Sequence, residues 1–209
     1  METDINTVKF AALNLLYKNI SGAQLSVGFE APQFVYGELL SMYEYFELFR
    51  NSENLYKDDC VFCDLGSGLG KANLVVSACF KVAESIGVEA IPMLYRVSLE
   101  HLKIYEEVIG SRIENYGKVK FFLAKVEEIQ ENWIHADTIF LNSLTWTTKS
   151  MRIIVSMFKN LKTNTEIFTS TKLTRKFLKL KKVFNVKMNF STIRVYLYIK
   201  VKELKYIFS

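Results

Sequence analysis

Three of the chain's nine glycines, Gly66, Gly68 and Gly70, fall within five residues, directly after the apolar run Val61–Leu65. A buried strand that runs into such a turn and then into a helix lets backbone pass close to a ligand. It also aims the free N–H groups of a helix start at that ligand. The turn is not a P-loop, because Leu65 and Ala72 break G-x-x-x-x-G-K-[ST]. It is not the G-x-G-x-x-G dinucleotide fingerprint either, because Lys71 stands at the last glycine position. What remains is Asp64-Leu65-Gly66-Ser67-Gly68-Leu69-Gly70, with an acid at the strand end. An acid there accepts hydrogen bonds or faces a cation, and would repel a pyrophosphate.

A second acid, Glu89, closes the short run Ile86–Ala90. It lies one strand–helix–strand unit beyond Asp64, where it can accept both ribose hydroxyls of an adenosine ligand. Cys60 and Cys63 form a C-x-x-C but sit within the apolar run CVFCDL, with no second Cys/His pair to complete a zinc site. Together with Cys79 they fit reduced thiols of an intracellular compartment, cytoplasm or nucleus. The two histidines, His101 and His135, read as surface residues rather than bases. No metal is expected.

The elements that must hold these residues follow from periodicity. Helical spacing marks Ile5–Ile20 and Phe34–Arg50, then Ala72–Ser85, a long helix from Pro92 to about Tyr116, and Met151–Leu161. Short apolar runs at Val61–Leu65, Ile86–Ala90, Val119–Ala124, Thr138–Asn142 and Glu166–Ser170 read as parallel strands between helices. The runs Val183–Asn189 and Thr192–Lys202 read as a closing antiparallel hairpin. The class is therefore α/β, a doubly wound, mostly parallel seven-stranded sheet with a C-terminal hairpin and N-terminal helices. The expected organisation is one domain over 1–209, with 1–50 as a helical cover and 51–209 as the core.

At 209 residues and 50% hydrophobic, the chain can bury a sizeable core and is not disordered. The start METDINTVKF lacks a basic n-region, and no apolar stretch is long enough to span a membrane. The charge is segregated. Lys172–Ser209 holds 11 Lys and Arg against one acid, a net +10, which leaves −5 for the rest. Lys172, Arg175, Lys176, Lys179 and Lys182 fall on one face if Lys172–Lys182 is a helix, with Leu173, Phe177, Leu180 and Phe184 on another. Such a surface suits nucleic acid or an acidic partner.

DLGSGLGK followed by GVE resembles the class I S-adenosylmethionine methyltransferases, whose sheet is Rossmann-like. Three further pieces narrow the resemblance to the histone-lysine methyltransferases of the disruptor-of-telomeric-silencing type and their small relatives. They are Val35-Tyr36-Gly37-Glu38-Leu39, Ile139-Phe140-Leu141-Asn142-Ser143-Leu144-Thr145-Trp146 and Val195-Tyr196-Leu197-Tyr198. The likeness runs from about Gln33 to Lys202, in matching order.

The resemblance implies S-adenosylmethionine as cofactor. Val35, Tyr36 and Glu38 would belong to a loop closing over it. Asp64, Gly66 and Gly68 would hold its methionine portion, Ser67, Gly70 and Lys71 would add further cofactor contacts, and Glu89 would bind its ribose. Lys125 and Val126 would flank the adenine. Asn142 would contact the methionine end or orient the incoming amine, and Trp146 would line an aromatic channel. Asn142, Tyr36 and Trp146 are thus the implied catalytic set. One departure stands out: Lys125 occupies the place of an acid that usually accepts from the adenine amino group, so that Glu127 or Glu128 shifts in, or backbone alone serves. The implied acceptor is a lysine-bearing protein, a histone or another chromatin protein among the candidates. Methylation of RNA or a small molecule, a catalytically silent cofactor-binding module, and a basic nucleic-acid-binding protein on the same scaffold stay open.

Overall fold

The structure, a computed structural model, describes residues 11, 13–14, 41–107, 117–187 and 191–202. Seven strands form one sheet: β1 (Cys60–Leu65), β2 (Val82–Glu89), β3 (Lys118–Leu123), β4 (Thr138–Leu141), β5 (Glu166–Thr169), β6 (Leu178–Lys187) and β7 (Thr192–Lys200), in the order β3-β2-β1-β4-β5-β7-β6. The first five are parallel, and β7 enters antiparallel between β5 and β6. This is the seven-stranded, doubly wound sheet with a terminal hairpin that the periodicity predicts. The strand order reverses beside β1, between β2 and β4, and at such a point a ligand crevice opens beyond the carboxyl ends of the strands.

The helices are α1 (Met42–Phe49), α2 (Lys71–Cys79), α3 (Pro92–Tyr105), the single turn α4 (Gln130–Trp133) and α5 (Thr148–Met157). Ser41 caps α1 in a reciprocal box with Glu44, and Thr147 caps α5 through the Ser150 N–H. Pro92 opens α3 as expected. One face of the sheet carries a cluster of Phe62, Phe140, Phe168 and Leu197 under α1 and α2. The other carries Cys63, Ile139, Ile167 and Tyr198 with Trp133 and Phe158. Strand alternation puts Cys60 on the first face and Cys63 on the second. The two thiols thus face opposite ways and are not set for a disulfide with each other. Burial pushes the Cys60 thiol up to about 12 and the Cys63 thiol well above its usual value.

Four expectations need correction or restriction. The helix expected over Ala72–Ser85 ends at Cys79, and β2 begins at Val82 rather than Ile86. Pairing with Cys60–Leu65 extends the strand backwards, and Ser85 Oγ is tied to the Asn73 carbonyl at 3.1 Å. The Lys172–Lys182 segment is not a helix. Residues 172–177 form a loop and turn, and Leu178 onward is the edge strand β6. The antiparallel register with β7 overrides the helical spacing, and a bulge between Leu180 and Lys182 shifts the phase. Leu173 and Phe177 do pack on the sheet, whereas Leu180 is exposed and Phe184 packs on the opposite face. His101 is fully buried rather than a surface residue, whereas His135 is exposed as expected. Of the expected N-terminal helices, Ala11, Leu13 and Asn14 are helical and the second begins at Met42; the rest lies outside the described residues.

At the end of the sheet away from the crevice, Glu166 on β5 is buried and accepts from Ser52 Oγ, from the Glu53 and Asn54 N–H groups at 3.2 and 3.3 Å, and from Lys181 Nζ at 3.2 Å. Lys181 also pairs with Glu53 at 2.8 Å. This knot ties the segment after α1 to the edge strand. No helix among the described residues is long and apolar enough to cross a membrane.

Candidate active site

The Gly-rich turn is built by three left-handed residues, Gly66 (φ 86°), Gly68 (φ 54°) and Gly70 (φ 81°). Any residue with a Cβ would be strained there. A Cβ on Gly66 would also come within 3.0 Å of the Trp146 indole, and one on Gly70 within 2.5 Å of Phe121. The Gly66 and Ser67 N–H groups donate to the Val88 carbonyl at 2.8 and 3.0 Å, and the Gly70 N–H donates to Ser67 at 2.8 Å. The turn is thereby pinned to β2, one strand away.

Glu89 completes the link. Its Oε2 accepts from the Gly68 N–H at 2.8 Å and its Oε1 from the Ile91 N–H at 2.7 Å. Burial, leaving the residue 7% exposed, pushes its carboxyl above the usual carboxylate range, and these N–H groups partly oppose the shift. A carboxylate has about four acceptor positions, so the N–H groups of Gly68, Ile91 and Ala90 leave room for a ligand hydroxyl.

Across the crevice, Asn142 follows β4. The loop after it is held by Ser143, whose N–H donates to Ser170 Oγ at 2.8 Å and whose hydroxyl meets Thr171 Oγ1 at 2.7 Å. Trp146 N–H donates back to the Ser143 carbonyl at 3.2 Å, which closes the turn that lays the indole against Gly66.

These groups enclose one cleft of about 310 Å³. Of the residues singled out in the sequence, Asp64, Gly66, Ser67, Gly68, Glu89, Lys125, Val126, Asn142 and Trp146 line it. Gly70 and Lys71 do not: Gly70 makes space for Phe121, and Lys71 starts α2. Val35, Tyr36 and Glu38 lie outside the described residues. Ser67 Oγ is buried with no hydrogen-bond partner among the described residues. Lys125 is exposed and pairs with Glu128 at 3.3 Å, and of Glu127 and Glu128 it is Glu127 that lines the cleft.

Sequence reading missed Tyr45, Phe140 and Thr145. Tyr45 reaches the cleft from α1 and meets the Phe140 ring edge-on, with centroids 5.8 Å apart. Nothing in the local pattern of a helical tyrosine distinguishes it from a core aromatic.

The cleft thus combines a buried carboxylate and an N–H-rich turn, groups suited to a ribose, with the aromatic rings of Trp146, Phe140 and Tyr45 and the Asn142 amide, groups suited to an apolar chain bearing a polar tip.

Comparison with known proteins gives the same architecture. The family model described as histone methylation protein DOT1 matches residues 24–206. Among solved structures, the magnesium protoporphyrin IX methyltransferase of Synechocystis PCC 6803 with bound SAM aligns at TM-score 0.58 and 11% identity, over 91% of this chain and 90% of that one. A candidate RNA methyltransferase of Pyrococcus horikoshii aligns at 0.55 and 16%, over 78% and 83%. A candidate methylase of Haemophilus influenzae aligns at 0.53 and 14%, over 77% and 96%. At these identities the likeness is one of fold. No curated protein matches the chain.

Proposed function

This chain belongs to the family of the histone methylation protein DOT1, and on that premise we propose that it transfers a methyl group from S-adenosylmethionine to an acceptor amine, a protein lysine side chain. The observation that carries the reading is one cleft lined by Glu89 and the Gly66–Gly68 backbone together with Asn142 and Trp146. The residues fit the cofactor. Glu89 retains acceptor capacity for a ribose hydroxyl, the missing Cβ at Gly66 makes room for the Trp146 indole that lines the cleft, and Ser67 Oγ is a buried hydroxyl that a bound ligand can satisfy. Asp64, buried at the end of β1, is placed for the cationic methionine portion. With the usual acid replaced by Lys125, Glu127 is the acid available near the adenine.

When bound, the cofactor supplies an electrophilic methyl group on a sulfonium. The protein's share is positioning. A lysine amine has a pKa of ~10.4 and must lose its proton before it can attack. A channel walled by Trp146, Phe140 and Tyr45 disfavours the ammonium form and so lowers that pKa. The Asn142 amide oxygen can accept an N–H of the incoming amine and aim its lone pair. This accounts for a site with no strong base. His135 is exposed, and His101 is hidden behind the Gly-rich turn.

The basic C-terminal segment is read as a recruiting surface for an acidic or polyanionic partner. Lys172, Arg175, Lys176 and Lys179 are exposed, with no acidic partner among the described residues, whereas Lys181 is engaged by Glu53 and Glu166. The proposal is tested by turnover of labelled S-adenosylmethionine on protein and RNA pools. Label on protein lysines supports it; label on RNA alone, or none on either, refutes the lysine assignment.

A further inference from the structure

His101 does not touch the cleft from a strand end. It stands on α3 behind the Gly-rich turn, 1% exposed, with Nδ1 3.0 Å from the carbonyl oxygen of Leu69. A carbonyl can only accept, so Nδ1 carries the proton and the ring is held in one tautomer. Leu69 is the residue between Gly68 and Gly70, and its side chain is buried in the core. The two neighbouring glycines lack side chains to anchor them. Two side chains from different elements thus grip adjacent parts of this backbone with opposite polarity: Glu89 takes the N–H of Gly68 and His101 gives to the carbonyl of Leu69. Glu89 also accepts from Ile91, immediately before α3. So α3 is coupled to the turn at its start through Glu89 and in its third turn through His101.

We infer that His101 is a positioning residue, whose Nδ1–H fixes the Gly68–Leu69–Gly70 backbone in the conformation that receives the nucleoside ligand. The inference rests on the cofactor reading above for its ligand, but not for its geometry. Burial holds the His101 pKa below the usual imidazole range, and the Lys71 ammonium on α2 adds to this. The Leu69 hydrogen bond and the Glu100 carboxylate on α3 oppose it. The neutral, Nδ1-protonated ring is therefore the form the fold keeps at neutral pH.

The experiment compares the parent with His101→Leu, which removes the donor at similar volume, and His101→Asn, whose amide N–H can replace Nδ1–H. Loss of one hydrogen bond worth ~0.5–1.5 kcal/mol corresponds to a rise of roughly 2–12-fold in the dissociation constant for S-adenosylmethionine. His101→Leu should show that rise and faster amide hydrogen exchange at Leu69, Gly70 and Lys71 in the ligand-free protein. Its Michaelis constant for the acceptor at saturating cofactor should be unchanged. His101→Asn should restore both affinity and protection. Long-range nitrogen–proton spectra of the parent should show the Nδ1–H tautomer, a readout that needs no variant. The inference is overturned by an Nε2–H tautomer, by parental affinity and exchange in His101→Leu, or by equal losses in both variants. If the parent binds no S-adenosylmethionine, the cofactor reading falls, and the exchange and tautomer measurements alone decide the role of His101.

Discussion

The Gly68 nitrogen lies 2.8 Å from Glu89 Oε2, so the turn after β1 and the acid that ends β2 form one hydrogen-bonded unit. On the proposed reading, ligand recognition and local fold therefore share a carboxylate. Glu89→Ala should weaken S-adenosylmethionine binding by ~1.5–3 kcal/mol through lost charge-assisted hydrogen bonds, read by calorimetry. Gly68→Arg should abolish binding by filling the cleft. Parental affinity in both folded variants would move the site elsewhere.

Glu89 also makes a pH prediction. Its carboxyl is held above the usual range, chiefly by burial. A raised folded-state pKa contributes stability that is full below the unfolded value of ~4.5 and is lost as pH rises through the folded value. Melting curves of the ligand-free parent and Glu89→Gln should thus differ most in the parent's favour in acid, with the gap narrowing toward neutral pH. A gap that widens toward neutral pH would contradict the assignment.

On the proposed reading, Asn142 acts on the acceptor more than on the cofactor. Asn142→Ala should lower kcat by one to two orders of magnitude while changing cofactor affinity by less than about threefold, an interaction expressed mainly in the transition state. Activity of the parent should climb from neutral to mildly alkaline pH as the amine deprotonates. A flat profile together with a fully active variant would remove both the amine and the role of Asn142.

Trp146 and Gly66 should be energetically coupled. A Cβ at position 66 meets the indole at 3.0 Å, on top of the strain of a left-handed backbone. Gly66→Ala should cost ~1–2 kcal/mol for the backbone alone, plus a further amount that disappears when Trp146 is also changed to Ala. A double-mutant cycle on chemical denaturation measures that coupling, expected at ~0.5–3 kcal/mol. Strict additivity would mean that the indole does not cover the turn.

On the proposed reading, the basic edge divides into recruiting cations and a structural lysine. Arg175, Lys176 and Lys179 changed to Glu should raise the Michaelis constant for a polyanionic acceptor and flatten its salt dependence, leaving cofactor affinity unchanged. Lys181→Ala should instead cost about 1–2 kcal/mol of stability. It removes a charged partner of buried Glu166, which keeps the Ser52, Glu53 and Asn54 donors. If the triple variant works at parental efficiency in low salt, the recruiting role is lost.

The sequence alone determined the sheet, because buried parallel strands write continuous apolar runs and their connections write helical periods. It also determined the Gly-rich turn, because left-handed backbone admits little but glycine, and it marked Asp64 and Glu89, while the family resemblance marked Asn142 and Trp146; the fold brings all four to one cleft. Other features were decided by tertiary structure. The cations of Lys172–Lys182 repeat at helical spacing, yet pairing of β6 with β7 made that segment a loop and an edge strand, since register hydrogen bonds outweigh a pattern of exposed side chains. Gly70 reads like its neighbours but serves Phe121 on β3. Tyr45 and His101 carry no local signal at all. An aromatic or an imidazole on a helix acquires a role only when packing sets it, one against Phe140 in the cleft and the other beneath the Leu69 carbonyl, and neither contact lies near in sequence.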